Sequence, residues 1–319
     1  MQLALSPLPL PGPLSRRLDL FALKLSQPKG MTFDFSTPHG EPALVPADSV
    51  SWQVFKNPVT VFIGGIAAVL LELAEPHVRD GVWQHSSFTT DALARMQRTG
   101  LAAMITVYGA RSKTEAMIKG VNRRHGSVRG LTTEGKPYRA DDPILLDWVQ
   151  ATAAFGFMEA YHRYSRPLSD GERNRFLAEG KAAADLYGAT SAPVSVSEMN
   201  MLFEVMRPRL VKSEVVFAFL DIVRKVPALP PALRPFQELL ITAAVELLPA
   251  WVRDRLGLRQ LGSLTPMQRA LVKAAAFGAE HIMLPSSAPV QSCRRLGLAD
   301  DYLYRRRRSG QPITPPARW

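Results

Sequence analysis

The side chains able to do chemistry fall into two short stretches. In DALARMQRTGLAAMITVYGA, residues 91–110, Arg95 and Thr99 are one helical turn apart, Ala102 and Thr106 extend the same stripe, and Arg98 lies a turn from Arg95. No charge follows Arg98 until Arg111. An arginine and a threonine thus stand at the mouth of an apolar helix. Either this is a helix start facing water, or the arginine pairs with a carboxylate while the hydroxyl hydrogen-bonds a ligand in a pocket. In VNRRHGSVRG, residues 121–130, His125 shares a helical face with Met117 and Val121. Lys119, Arg123 and Arg124 lie off that face and read as solvated. A histidine so placed is either a satisfied core residue or a neutral imidazole able to hold iron in an apolar pocket, as the one axial ligand of a haem does.

The other histidines, His39, His77, His85, His162 and His281, have no comparable setting and read as structural. The single cysteine, Cys293, excludes an intrachain disulfide and any cysteine-based zinc site, and it fits a reducing compartment. There is no G-x-S-x-G, H-E-x-x-H, C-x-x-C or G-x-x-x-x-G-K-[ST] pattern, so phosphate-loop and zinc chemistry have no motif to stand on.

Behind these residues the chain reads as all-α, with helical period in nearly every long segment and little strand-like alternation. Asp91 opens a helix; Ser112 and Glu115 form a capping box for the helix that runs to His125. Asp142-Pro143 starts a long helix to about Ser165, and Ser169 with Glu172 caps another that ends near Gly188. Further helices are expected from Ser197, over 213–225, over 236–256 ending at Gly257, and from Thr265-Pro266 to residue 282 as the last. The sum is roughly eight to eleven helices in one bundle-like domain. The expected divisions are an N-terminal extension over 1–50, partly irregular, a helical domain over 51–285 and a basic tail over 286–319.

Of the 319 residues, 46% are hydrophobic and 21% charged, the balance of a soluble globular chain with a sizeable core. Much of the net charge of +11 sits in the tail, with Arg294, Arg295, Arg305 to Arg308 and Arg318 against Asp300 and Asp301. Such a tail suits a polyanion or an anionic membrane surface, or is simply solvated. With only Tyr302 and Tyr304 as interleaved aromatics and no recognition module, nucleic-acid binding is not expected. SRRLDLFALKL, residues 15–25, imitates a twin-arginine signal, but Asp19 and Lys24 interrupt its apolar run, so export is not expected and a cytoplasmic location is. Pro7, Pro9, Pro11 and Pro13 make residues 1–14 a poor helix, and Met31 is an alternative start. The apolar run over 58–71 ends at Glu72, short of the roughly 20 residues of a membrane span, and its Gly64-Gly65 pair allows close approach of a helix or a ligand.

In order, GGIAAVLLELAEP (64–76), HSSF (85–88), R-x-x-x-T (95–99), YGA (108–110), VNRRHGSVRG, YRADDPILLDWVQAT (138–152), RPL (166–168) and LPAWVRDRLGL (248–258) resemble one family. It is the haem-dependent oxygenase family of the latex-clearing rubber oxygenases and the MpaB-type oxygenases, and the similarity spans residues 52–258. The resemblance implies an all-α fold enclosing a pocket for haem b, with His125 as the proximal iron ligand and Arg95 and Thr99 as pocket residues. It also implies dioxygen as co-substrate and a hydrophobic, unsaturated, isoprenoid-like substrate whose carbon–carbon double bond is oxidised or cleaved. Arg98 stands where rubber oxygenases carry lysine, and an always-charged guanidinium is a poor iron ligand. Glu75 and Gln150 replace histidines frequent in the family. They motivate the alternative of a non-catalytic helical haem- or lipid-binding protein of the same fold, and Glu75 is either an acid–base group or a surface glutamate at a helix end.

Overall fold

Residues 58–72 carry no charge before Glu72, and a helix that is apolar all round must be buried on all sides. In the computed structural model, which describes residues 7–8, 11–230 and 233–305, this helix is the centre of the molecule. In chain order the helices are α1 (Gly12–Ser26), α2 (Val50–Phe55), α3 (Pro58–Glu72), α4 (Pro76–His85), α5 (Ala92–Tyr108) and α6 (Arg111–His125). A hairpin of β1 (Arg129–Leu131) and β2 (Pro137–Arg139) follows, antiparallel with Gly130 opposite Tyr138. Then come α7 (Pro143–Tyr164), α8 (Asp170–Glu179), α9 (Lys181–Tyr187), α10 (Val196–Met206) and α11 (Glu214–Lys225). The chain continues through α12 (Arg234–Leu247), α13 (Ala250–Leu256), α14 (Pro266–His281) and α15 (Ala288–Arg295). The fold is all-α.

Asn57 starts α3 by accepting from the amides of Val59 and Thr60, with Pro58 in the first turn. The same side chain donates to the Ala276 carbonyl of α14, 2.9 Å away, so the cap also fastens α3 to its neighbour. α7 runs along α3, and α2, α12 and α14 close the remaining sides. The α3–α7 contact is made by backbone: a Cβ placed on Gly64 would lie 2.6 Å from the Gly156 carbonyl oxygen, and one on Gly156 would strike the Gly64 carbonyl. Gly65 has only a Phe157 ring carbon at 3.8 Å, so one glycine of the pair makes the approach, and its partner is a helix.

Several expected boundaries move, each for a local reason. Ser112 and Glu115 do not form a capping box: α6 begins at Arg111, and the Ser112 amide and hydroxyl are held instead by the Glu41 carboxylate at 2.5 and 2.9 Å. The expected helix over 169–188 keeps its Ser169–Glu172 capping box but breaks at Gly180 into α8 and α9, with Gly188 at φ +89° closing the second. The 236–256 helix breaks at Pro249, which has no amide hydrogen to donate. Ser195, not Ser197, caps α10.

The tail is the largest departure. α15 lies inside the expected tail, and Arg295, counted among its solvated charges, is 1% exposed. Its guanidinium donates to the carbonyls of Glu41, Phe35 and Tyr108, each at 2.8 Å. Leu303 and Tyr304 are also buried, while Arg294 pairs with Asp300 and Arg305 with Asp301. Arg306 to Arg308 and Arg318 lie outside the described residues. No single described helix is long and apolar enough to cross a membrane; α3 and α4 together pass by length and composition but are bent by 111°.

Gly64→Ala and Gly156→Ala are each expected to cost at least about 1–3 kcal/mol, because the new methyl meets backbone that cannot turn aside. Gly65→Ala is the control, with no loss and a gain of up to about 1 kcal/mol from helix propensity. Urea unfolding of the three variants measures this; equal effects at positions 64 and 65 would contradict the backbone contact.

Candidate functional site

α5 and α6 are joined by a turn that only glycine can make. A Cβ on Gly109 would lie 2.5 Å from the Ile105 carbonyl and 2.6 Å from the Thr114 hydroxyl, which itself donates to Ile105 at 3.0 Å. This turn folds α6 back beside α5. The start of α5, with Arg95, and the end of α6, with His125, thereby come close enough for the guanidinium to depress the imidazole's proton affinity. Asp91 caps α5 by accepting from the Ala94 amide.

The R-x-x-x-T pair is assembled. Arg95 Nη1 donates to the Thr99 hydroxyl, and that hydroxyl donates to the Arg95 carbonyl at 3.0 Å. The guanidinium also sits over the Phe88 ring, 5.0 Å from its centre. Arg98 turns away and donates to Ser87 Oγ at 2.7 Å, holding the H-S-S-F turn rather than reaching the same point as Arg95. Thr99 is exposed; Arg95 and His125 are half-buried.

Glu72 completes the group, and sequence reasoning used it only as the end of an apolar run. Burial is the largest influence on its carboxyl and pushes it up to about 7, against the opposing pull of Arg95 and of the neighbouring Thr152 of α7, whose hydroxyl donates to the Val149 carbonyl at 2.8 Å. Arg95 is lowered, first by burial, with Glu72 raising it and Arg98 lowering it. His125 is lowered as well, first by burial and then by Arg95, with Asp141 opposing. Burial and Arg95 thus both favour the neutral imidazole. Glu72, Arg95 and His125 all retain some access to water, yet burial is the largest influence on the proton affinity of each. The signal for Glu72 was present: a lone carboxylate on a helix otherwise free of charge demands a partner.

His125 is not a satisfied core histidine. Its Nδ1 is buried and has no hydrogen-bond partner among the described residues, and neither does the buried Oδ1 of Asn122 one turn earlier. The Asn122 amide nitrogen is held by the Leu186 carbonyl at 2.7 Å. Arg123 and Arg124 are exposed, as their position off the apolar line requires.

The remaining candidates are structural. Glu75 is fully buried, not a surface residue. It caps α4 through the Val78 amide, meets His77 Nδ1 at 2.9 Å and accepts from Arg209 at 2.7 and 3.2 Å. A carboxylate so fully engaged is a clamp. His85 reaches the Tyr138 hydroxyl at 3.1 Å, and His162 Nδ1 accepts the Leu168 amide at 2.9 Å. Two cavities, of about 240 and 570 Å³, lie beside Arg209 and beside His162, and neither includes Arg95 or His125.

A family model described as ER-bound oxygenase mpaB/B'/Rubber oxygenase, catalytic domain, matches residues 52–280. No curated protein and no solved structure matches the chain.

The Glu72 carboxyl, raised on folding, stabilises the protein fully below its unfolded value of 4.5, and that contribution is lost as pH rises to about 7. Glu72→Gln is expected to flatten this decline, by about 1–2 kcal/mol at most once residual water access is allowed for. Thermal unfolding across the range checks it; an unchanged pH profile would place the carboxylate in ordinary solvent.

Proposed function

Because the chain belongs to the family of the ER-bound oxygenase mpaB/B'/rubber oxygenase catalytic domain, we propose that this oxygenase works with haem b held by His125. The carrying observation is the unpartnered ring nitrogen of His125. An unsatisfied buried polar atom costs about 1–3 kcal/mol, and a ligand on the imidazole relieves that cost. Neutrality supports the same role, since only the unprotonated ring offers a lone pair to a metal. Among the described residues no three His, Cys, Asp or Glu side chains converge as a metal cage. A single histidine suits an iron that arrives with its other ligands already supplied by a macrocycle.

Arg95 provides the charge for a haem propionate, and Thr99 keeps its guanidinium from swinging into solvent. The Thr99 hydroxyl proton is spent on the Arg95 carbonyl, so towards the pocket this residue acts as an acceptor and a positioning group. Arg98 does not ligate; it fixes the turn before α5. Bound here, haem b would supply dioxygen activation and the electron chemistry for oxidising or cleaving a carbon–carbon double bond. The apolar walls of α3 and α5 would hold a hydrophobic, isoprenoid-like small molecule and keep bulk water away from it. Glu72, its carboxyl raised by burial to about 7, can hold or give up a proton beside Arg95.

Purified protein reconstituted with haem is expected to show a Soret band, and His125→Ala to weaken haem affinity by at least about tenfold with a changed ligation spectrum. Arg95→Ala is expected to weaken uptake while leaving that spectrum in place. Oxygen consumption with a panel of isoprenoids then reads out turnover. Failure of the wild-type chain to take up haem, under conditions that load a control haem protein, would overturn the proposal.

A further inference from the structure

α14 presents an apolar stripe to the outside. Val272 and Ala276 face the core, while Met267 is 82% exposed, Leu271 52% and Phe277 62%, with the exposed Ala270 and Ala274 between them. These positions recur at helical spacing over some three turns. α1 is stranger still, because none of its residues is buried although Leu14, Leu20 and Phe21 are exposed apolar side chains. The two helices are tied at one corner: the Leu8 amide donates to the His281 carbonyl at 2.9 Å, and Asp19 accepts from the Ser286 amide and hydroxyl at 3.0 and 2.7 Å.

The charges around these apolar residues have one sign. Arg16, Arg17 and Lys24 of α1 and Lys273 of α14 are exposed and make no ion pair among the described residues. The carboxylates of these two helices are turned inward, Asp19 to Ser286 and Glu280 to Lys56 at 2.8 Å. Beside α14, Lys273 and Phe277 line the cavity of about 570 Å³ together with His162 and Arg163.

We propose that α1 and α14 form a face that docks on an anionic lipid bilayer. The exposed Leu, Phe and Met side chains enter the boundary between headgroups and acyl chains, the unpaired cations meet lipid phosphates, and the cavity beside Lys273 accommodates a headgroup. A second copy of the chain fits the face less well. In a two-fold pair the patch would meet itself, setting four unpaired cations against their like with no free carboxylate to answer them. This docking stands whether or not the pocket holds haem.

The full chain is mixed with vesicles of phosphatidylcholine alone and of phosphatidylcholine with phosphatidylglycerol, and co-sedimentation is measured at low and high salt. Partition onto the anionic vesicles, absent on the neutral ones and reduced by salt, is expected. Leu271→Glu with Phe277→Glu is expected to weaken it at least about tenfold, and Arg17→Glu with Lys273→Glu to a similar degree. Both variants alter exposed side chains, so circular dichroism should show the wild-type fold. No partition overturns the proposal. So does binding that survives both variants and disappears when residues 306–319 are removed, which assigns it to the tail. A concentration-dependent dimer abolished by Leu271→Glu, without vesicle binding, would make the face a contact between copies.

Discussion

The closest approach of α3 to α7, backbone against backbone at Gly64 and Gly156, sets the spacing on which the rest depends. α3 delivers Glu72 at one end and, through the turn that follows, Glu75; α7 delivers Thr152 against Glu72. A side chain at the crossing would separate the helices and loosen the contacts that desolvate the carboxyl. Two glycines remote from the polar group are therefore part of what shifts it. The second constraint is the Gly109 turn, which brings the beginning of α5 beside the end of α6. One contact fixes the wall and the other fixes what faces it.

Two glutamates three residues apart show how burial alone does not decide a role. Glu75 is completely buried, yet an amide, a histidine and a guanidinium compensate it, and the clamp joins the start of α4 to the segment after α10. Glu72 keeps contact with water but has only the charge of Arg95 and a threonine to oppose its desolvation. A carboxylate held on every side serves structure; one short of partners, as Glu72 is, has its proton affinity raised by burial.

The all-α class and the starts of α5, α7, α8, α11 and α14 were legible in the sequence because each depends on a cap or proline within a few residues. The break at Gly180 was not, since helical period continues across it; the break at Pro249 did have a local signal, the proline's missing amide hydrogen, masked by the apolar period on either side. The Arg95–Thr99 pair was readable from spacing. The state of His125 was not, because whether an imidazole is satisfied depends on residues brought from elsewhere. Ser112 shows the same limit in reverse: a well-spaced local box lost to Glu41, a carboxylate 71 residues away.

Arg295 joins the two ends of the chain's history. Its guanidinium needs the carbonyls of Phe35, Glu41 and Tyr108, which leave the ribosome long before it does. Until α15 emerges those carbonyls have water in place of the guanidinium, and the segment over 35–45 lacks the helix it packs against. The central helices can assemble as they are made, but closure of the domain waits for its last turns. The Phe35 contact spans 260 residues of sequence, so this corner of the domain closes only once nearly all of the helices are in place.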